Sequence, residues 1–184
     1  MRNNLSVALT ALSVEEFAKE DLSSTNLVFI CPLSVEGEER NISNLASKKI
    51  CWIAGSTVGQ DGLLRQFLYN DAGILEKDSF DVYPFFLFGN KVLLLSYDAL
   101  QIPSRCKIYN MAPDLLLLSS VTIAEEIAEL RLKLKALAGD WKVNIACAFS
   151  LSKGERRFGA FQPRERKFVF KIPHLQSGEF EFRL

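Results

Sequence analysis

The chain has 184 residues, 22 Lys or Arg balanced by 22 Asp or Glu, one His, and 48% apolar residues that include 14 Phe. A formal net charge of zero excludes a surface given over as a whole to nucleic acid or anionic lipid. So much Leu, Ile, Val and Phe also excludes a disordered chain, because there is ample apolar surface to offset the entropy of ordering. A chain of this length can bury roughly 70% of its unfolded surface as one unit, so residues 1–184 read as a single globular domain. Charge sets the last part aside. Eight Lys or Arg and four Glu fall between Ser152 and Leu184, leaving 14 basic and 18 acidic groups before them, and 152–184 reads as a basic hairpin subdomain.

In chain order, the apolar stretch near Leu5 is short and broken by Ser6 and Thr10, unlike a signal peptide. Ser13 and Glu16 form a capping box that predicts a helix over 14–19. Asn26–Cys31 predicts a strand that Pro32 stops, and 36–49 reads as a loop or short helix. Ile50–Ala54 predicts a second strand, with a glycine-rich loop and a helix over 63–70 after it. The segment Phe80–Leu100 is long and apolar, but Gly89-Asn90-Lys91 at its centre makes it a hairpin of Val82–Phe88 and Lys91–Tyr97 rather than a membrane span. Short strands are expected at Cys106–Tyr109 and Leu115–Leu118.

The clearest helix runs from Ile123 to Ala138. Thr122 and Glu125 form its capping box, Gly139 its stop, and Ile123, Ile127, Leu130, Leu134 and Leu137 line one face. Val143–Phe149 reads as a central strand. Phe168 and Phe170, then Phe180 and Phe182, alternate with polar or charged residues and Val169, which predicts an antiparallel hairpin with Phe170 opposite Phe180. The fold class expected is α+β: a mostly antiparallel sheet of six or more strands with one long capped helix at 123–138 on a face.

Five groups of residues are candidate sites. Gly55, Gly59 and Gly62 lie between a strand and a predicted helix, the layout of a phosphate loop, but Gln60-Asp61 stands where Lys-Ser/Thr is needed. Pro113-Asp114 with Asp140-Trp141-Lys142 matches the string of metal-dependent nucleases, yet a complete helix separates its halves. His174 falls in a connection between strands, without a nucleophile nearby in sequence. Cys31, Cys51, Cys106 and Cys147 are scattered through apolar contexts without C-x-x-C spacing, as expected of reduced structural thiols in a cytoplasmic protein and not of a zinc site. The fifth candidate is the block 153–171, where Arg156, Arg157, Arg164, Arg166 and Lys167 gather near turns. These five are the candidate macromolecular contacts, with no catalytic, cofactor-binding or metal-ligating residue assigned and no cofactor expected. The function expected is a non-catalytic accessory or adaptor subunit acting through protein partners. A nucleic-acid-binding protein using the basic segment 153–171 is the alternative, and a nucleotide-dependent enzyme using Gly55–Gly62 a lesser one. No membrane association is expected, and an enzyme is left open with the balance against it.

Overall fold

Central strands such as β3, β7, β8 and β9 are buried on both faces almost throughout, and the structure sorts their apolar residues into two layers. The computed structural model describes residues 4–10, 19, 26–30, 42, 52–58, 64–70, 73–78, 82, 84–100, 104–151, 155–171 and 177–184. The strands are β1 (Asn4–Thr10), β2 (Leu27–Ile30), β3 (Trp52–Val58), β4 (Leu64–Asn70), β5 (Gly73–Asp78), β6 (Phe85–Leu87), β7 (Asn90–Ser96), β8 (Leu115–Thr122), β9 (Asn144–Leu151), β10 (Arg156–Gln162), β11 (Lys167–Lys171) and β12 (Ser177–Arg183). Two described helices are α1 (Ser104–Asn110) and α2 (Ile127–Trp141).

The strands form two six-stranded sheets, ordered β12-β1-β2-β3-β4-β5 and β11-β10-β9-β8-β7-β6. Both are mixed. β1, β2 and β3 run parallel in the first, β7, β8 and β9 in the second, and the remaining pairs are antiparallel. Read from β5 and from β11, the two sheets have the same sequence of pairings, so the topology repeats although the sequence shows no repeat. This corrects the expected fold class. The architecture is two stacked mixed sheets, not one mostly antiparallel sheet.

The core between the sheets is apolar: Leu5, Val7, Leu9, Leu27, Phe29, Ala54 and Leu68 from one side meet Val92, Leu94, Leu115, Leu117, Ala146, Ala148, Phe158 and Ala160 from the other. Strand lies on strand, β1 over β9 and β10, β2 over β9, β4 over β7. A second core lies on the outer face of the β6–β11 sheet, where Leu130, Leu134 and Leu137 of α2 and Ile108 of α1 cover Leu93, Leu95, Leu116, Leu118, Ile145, Cys147 and Phe149. The α2 seam read from sequence is therefore a docking face on its own sheet. Its entry differs from the predicted box. A 3-10 turn at Ala124–Glu126 precedes it, and Thr122 Oγ1 donates to Glu126 Oε2 at 2.9 Å. Its exit differs too: Gly139 is helical, and Lys142 in the left-handed region ends α2 by donating its N–H to the carbonyls of Ala138 and Gly139.

Four further expectations are corrected. Residues 64–70 form β4, not a helix, and 104–110 form α1, not a strand. The hairpin at 85–96 is present, but its turn is Phe88-Gly89, both at positive φ. The last two strands are not partners. β11 pairs with β10 and β12 with β1, in different sheets, so Phe180 and Phe182 enter the inter-sheet core. Phe168 lies on the outer face, half-exposed, beside Phe161 and beneath Lys135 Nζ at 5.1 Å from its ring centroid. The helix predicted at 14–19 lies outside the described residues except for Lys19.

Candidate active site at the carboxyl ends of the parallel strands

The relative direction of the sheets fixes where a site can form. Asn144 begins β9, and its Nδ2 donates to the carbonyl of Arg183 at 3.2 Å. Arg183 ends β12 and pairs with Asn4, the first residue of β1. Gln162, at the end of β10, likewise donates from Nε2 to the carbonyl of Glu181. The amino ends of β1 and β9 therefore share one end of the sandwich. All six parallel strands, three in each sheet, direct their carboxyl ends to the other. In open sheets with parallel strands, that is where ligands bind.

At this end the inter-sheet layer changes character. The inward alternation Val92, Leu94 continues to Ser96; Leu115, Leu117 to Ser119; Ala54 to Ser56; and Leu68 to Gln66. Ser96 and Ser119 are paired on β7 and β8, and Ser56 and Gln66 on β3 and β4 in the facing sheet. All four are buried. Ser96 Oγ accepts the N–H of Asp98 at 3.3 Å, because the chain turns at once into the 3-10 segment Tyr97–Leu100. Ser56 Oγ, Ser119 Oγ and both polar atoms of the Gln66 carboxamide have no hydrogen-bond partner among the described residues. Each such group costs roughly 1–3 kcal/mol of desolvation. A fold tolerates several together where something else is to be bound.

Outside the same end of the β6–β11 sheet, a cleft of about 250 Å³ is lined by Tyr97, Asp98, Ser120, Val121, Thr122, Glu126, Glu129, Leu130 and Lys133. Its charges largely answer one another, with Lys133 Nζ 2.7 Å from Glu129 Oε1. That contact holds the Glu129 carboxyl below, and the Lys133 ammonium above, their ordinary ranges. Burial pushes the Tyr97 hydroxyl up.

The sequence-predicted residues fall elsewhere or apart. Gly55 lies within β3, where a Cβ would stand 2.6 Å from the Phe67 ring; this glycine admits an aromatic ring, not a phosphate. Gly59, Gly62, His174, Cys31 and Cys51 lie outside the described residues. The Asp114 carboxylate accepts the N–H of Lys91 at 2.8 Å, which ties the start of β8 to β7. Cys147 is buried on the outer face and donates to the carbonyl of Gly159 at 3.4 Å, whereas Cys106 is exposed on α1. Arg156 and Arg157 open β10 at the carboxyl end, with Arg157 Nη2 3.0 Å from Glu155 Oε2. Arg164, Arg166 and Lys167 surround the Pro163–Glu165 turn at the opposite end, where Arg183 meets Glu165 at 3.3 Å. The basic block does not form one surface.

No protein-family model matches the sequence, and no curated protein matches it either. Solved structures do. A CN-hydrolase superfamily protein from Xanthomonas campestris with an arsenic adduct in its active site superposes with a TM-score of 0.76 at 11% identity, over 98% of this chain and 91% of that one. The chain has the CN-hydrolase, or nitrilase, fold. An amidase from Nesterenkonia sp. AN1, seen with acrylamide added to its active-site cysteine, matches with a TM-score of 0.74 at 12% identity, over 98% of this chain and 93% of that one. Such a likeness carries the fold. It also overturns the expected non-catalytic accessory or adaptor subunit and the nucleic-acid-binding alternative, which had rested on finding no site and on one basic segment. The CN-hydrolase fold in these structures surrounds an active site, and here the basic segment is divided between two ends.

The inter-sheet serines and Gln66 were missed by sequence reading because each is an ordinary polar residue at the end of an apolar strand. The available signal was the break in alternation: Leu-Leu-Leu-Ser at 93–96 and Leu-Leu-Leu-Leu-Ser at 115–119 each place a hydroxyl where the run would continue apolar. No helix among the described residues is long and apolar enough to cross a membrane.

Proposed function

We propose that this protein is a hydrolase of the carbon–nitrogen bond of small uncharged amides, with its reacting centre between the sheets at the carboxyl ends of the parallel strands. One observation carries the reading: the inter-sheet layer, apolar through its middle, ends on this side in Ser96, Ser119, Ser56 and Gln66, three of which hold buried polar atoms without a partner among the described residues, whereas the polar residues at the opposite end, Asn144 and Gln162, bond across to β12. The shared fold with amidases supports it. Ser96 is the nucleophile in this account. It stands where β7 breaks into a turn, and the Asp98 N–H occupies one lone pair, leaving the hydroxyl proton to be surrendered. The oxygen adds to the amide carbon, the amine departs with a proton, and water then cleaves the acyl ester. A serine hydroxyl needs a base, and the described inward side chains around Ser96 include neither carboxylate nor imidazole. Scattered cysteines, with Cys106 and Cys147 both outside any disulfide, fit a cytoplasmic setting.

The test is ammonia release from a panel of two- to four-carbon primary amides. Wild type should release ammonia above the buffer rate, Ser96→Ala should lower kcat at least a hundredfold, and Cys106→Ala should change nothing. Equal activity in Ser96→Ala, with loss in Cys31→Ala, would move the nucleophile to the thiol. An inert wild type would end the hydrolase reading.

A further inference from the structure

We infer that Gln66 selects uncharged carboxamides over the corresponding carboxylates, an assignment that rests on the hydrolase reading. Gln66 is fully buried on the inner face of β4, and neither its Oε1 nor its Nε2 has a partner among the described residues. Its cross-strand neighbour Ser56 is equally buried, with Oγ unpartnered. β4 lies on β7, the strand that ends in Ser96. A carboxamide side chain offers one acceptor and two donors, so it can form a two-point pair with another primary amide, each giving an N–H and taking one. A carboxylate placed there sets one of its oxygens against Oε1, and an ammonium sets its protons against Nε2. A site built to hydrogen-bond one group rejects an analogue that leaves its buried polar atoms unpaired far more strongly than an apolar pocket rejects an extra methylene. The carboxylate is also the product of amide hydrolysis, so the preference that admits substrate expels product.

Calorimetry with propionamide and with propionate tests this directly, on wild type, Gln66→Met and Gln66→Leu, with the unfolding midpoint of each recorded. Wild type should bind propionamide at least tenfold more tightly than propionate. Both variants should lose that difference through weaker amide binding, and KM for propionamide should rise at least tenfold with kcat changing less. The midpoints should not fall, since an apolar side chain there leaves no polar atom unpaired. Two variants of different shape guard against one that fails to fold. Unchanged discrimination in both, or a wild type that binds neither compound and so holds only water, overturns the inference. Gln66-dependent amide binding without turnover would leave this inference standing and end the hydrolase reading. Turnover with discrimination untouched by Gln66 would do the reverse.

Discussion

Asn144 Nδ2 donates to the main-chain carbonyl of Arg183 across 39 positions of sequence, at 3.2 Å. This bond joins the first residue of β9 to the last of β12, and so one sheet to the other at the end opposite the candidate site. Asn144→Leu removes the donor and leaves a part-buried carbonyl unpaired. A loss of about 1–2 kcal/mol is expected, read from urea unfolding. The candidate site lies at the far end of the sandwich, so amide affinity should hold in the variant at temperatures where it is folded.

Phe182, fully buried between the sheets on β12, is a second anchor of the same end. Phe182→Ala should cost about 3–5 kcal/mol through lost burial and the cavity left behind. Thermal unfolding would show a cost below about 1 kcal/mol if the C-terminal strand were a dispensable tail.

Gly55 separates two accounts of the segment that contains it. Because a Cβ there meets the Phe67 ring at 2.6 Å, Gly55→Ala should destabilise by roughly 1–3 kcal/mol through overpacking. Combining it with Phe67→Leu should recover part of that loss, a coupling measurable in a double-mutant cycle. A nucleotide-loop account instead expects unchanged stability and loss of nucleotide binding.

The Tyr97 hydroxyl is raised by burial, with Glu129 and Asp98 adding to the effect and Lys133 opposing it. A tyrosine whose folded pKa lies above its unfolded value of about 10 binds its proton more tightly when folded. Its contribution is complete below pH 10 and is lost as pH rises through the folded value. Tyr97→Phe should therefore flatten the fall in stability above pH 10 and leave its pH dependence near neutrality unchanged. Urea midpoints at pH 8 and pH 10.5 for both proteins give the comparison.

Local patterns were legible where one short-range signal decided the outcome. Asn90 sits at the hairpin in 85–96 because two apolar runs flank a glycine turn, and α2 shows a single apolar face over four turns. Leu64, Phe67 and Leu68 mimic helical spacing, yet β4 is buried on both faces: Leu68 faces the other sheet while the Phe67 ring packs over Gly55 on the opposite side. Ile108 and Tyr109 favour a strand by propensity, but burial of Ile108 beneath the β6–β11 sheet holds 104–110 as a helix. Parallel pairing was hidden for a different reason. The partners of β7, β8 and β9 are set by crossovers of 18 and 21 residues, and no local pattern announces them. The site depends on that topology, since Ser96 and Gln66 share an end only once both sheets are stacked. Ser96 in sequence is one serine after three leucines.

The central claim is that Ser96 attacks a carbonyl carbon between the sheets. Intact-protein mass spectrometry after brief exposure to p-nitrophenyl acetate, followed by peptide mapping, tests it most directly. The account predicts one added acetyl group, on the peptide containing Ser96, and none in Ser96→Ala. An acetyl group found on a cysteine-containing peptide that lacks Ser96, or a Ser96→Ala protein labelled to the same extent as wild type, would contradict it.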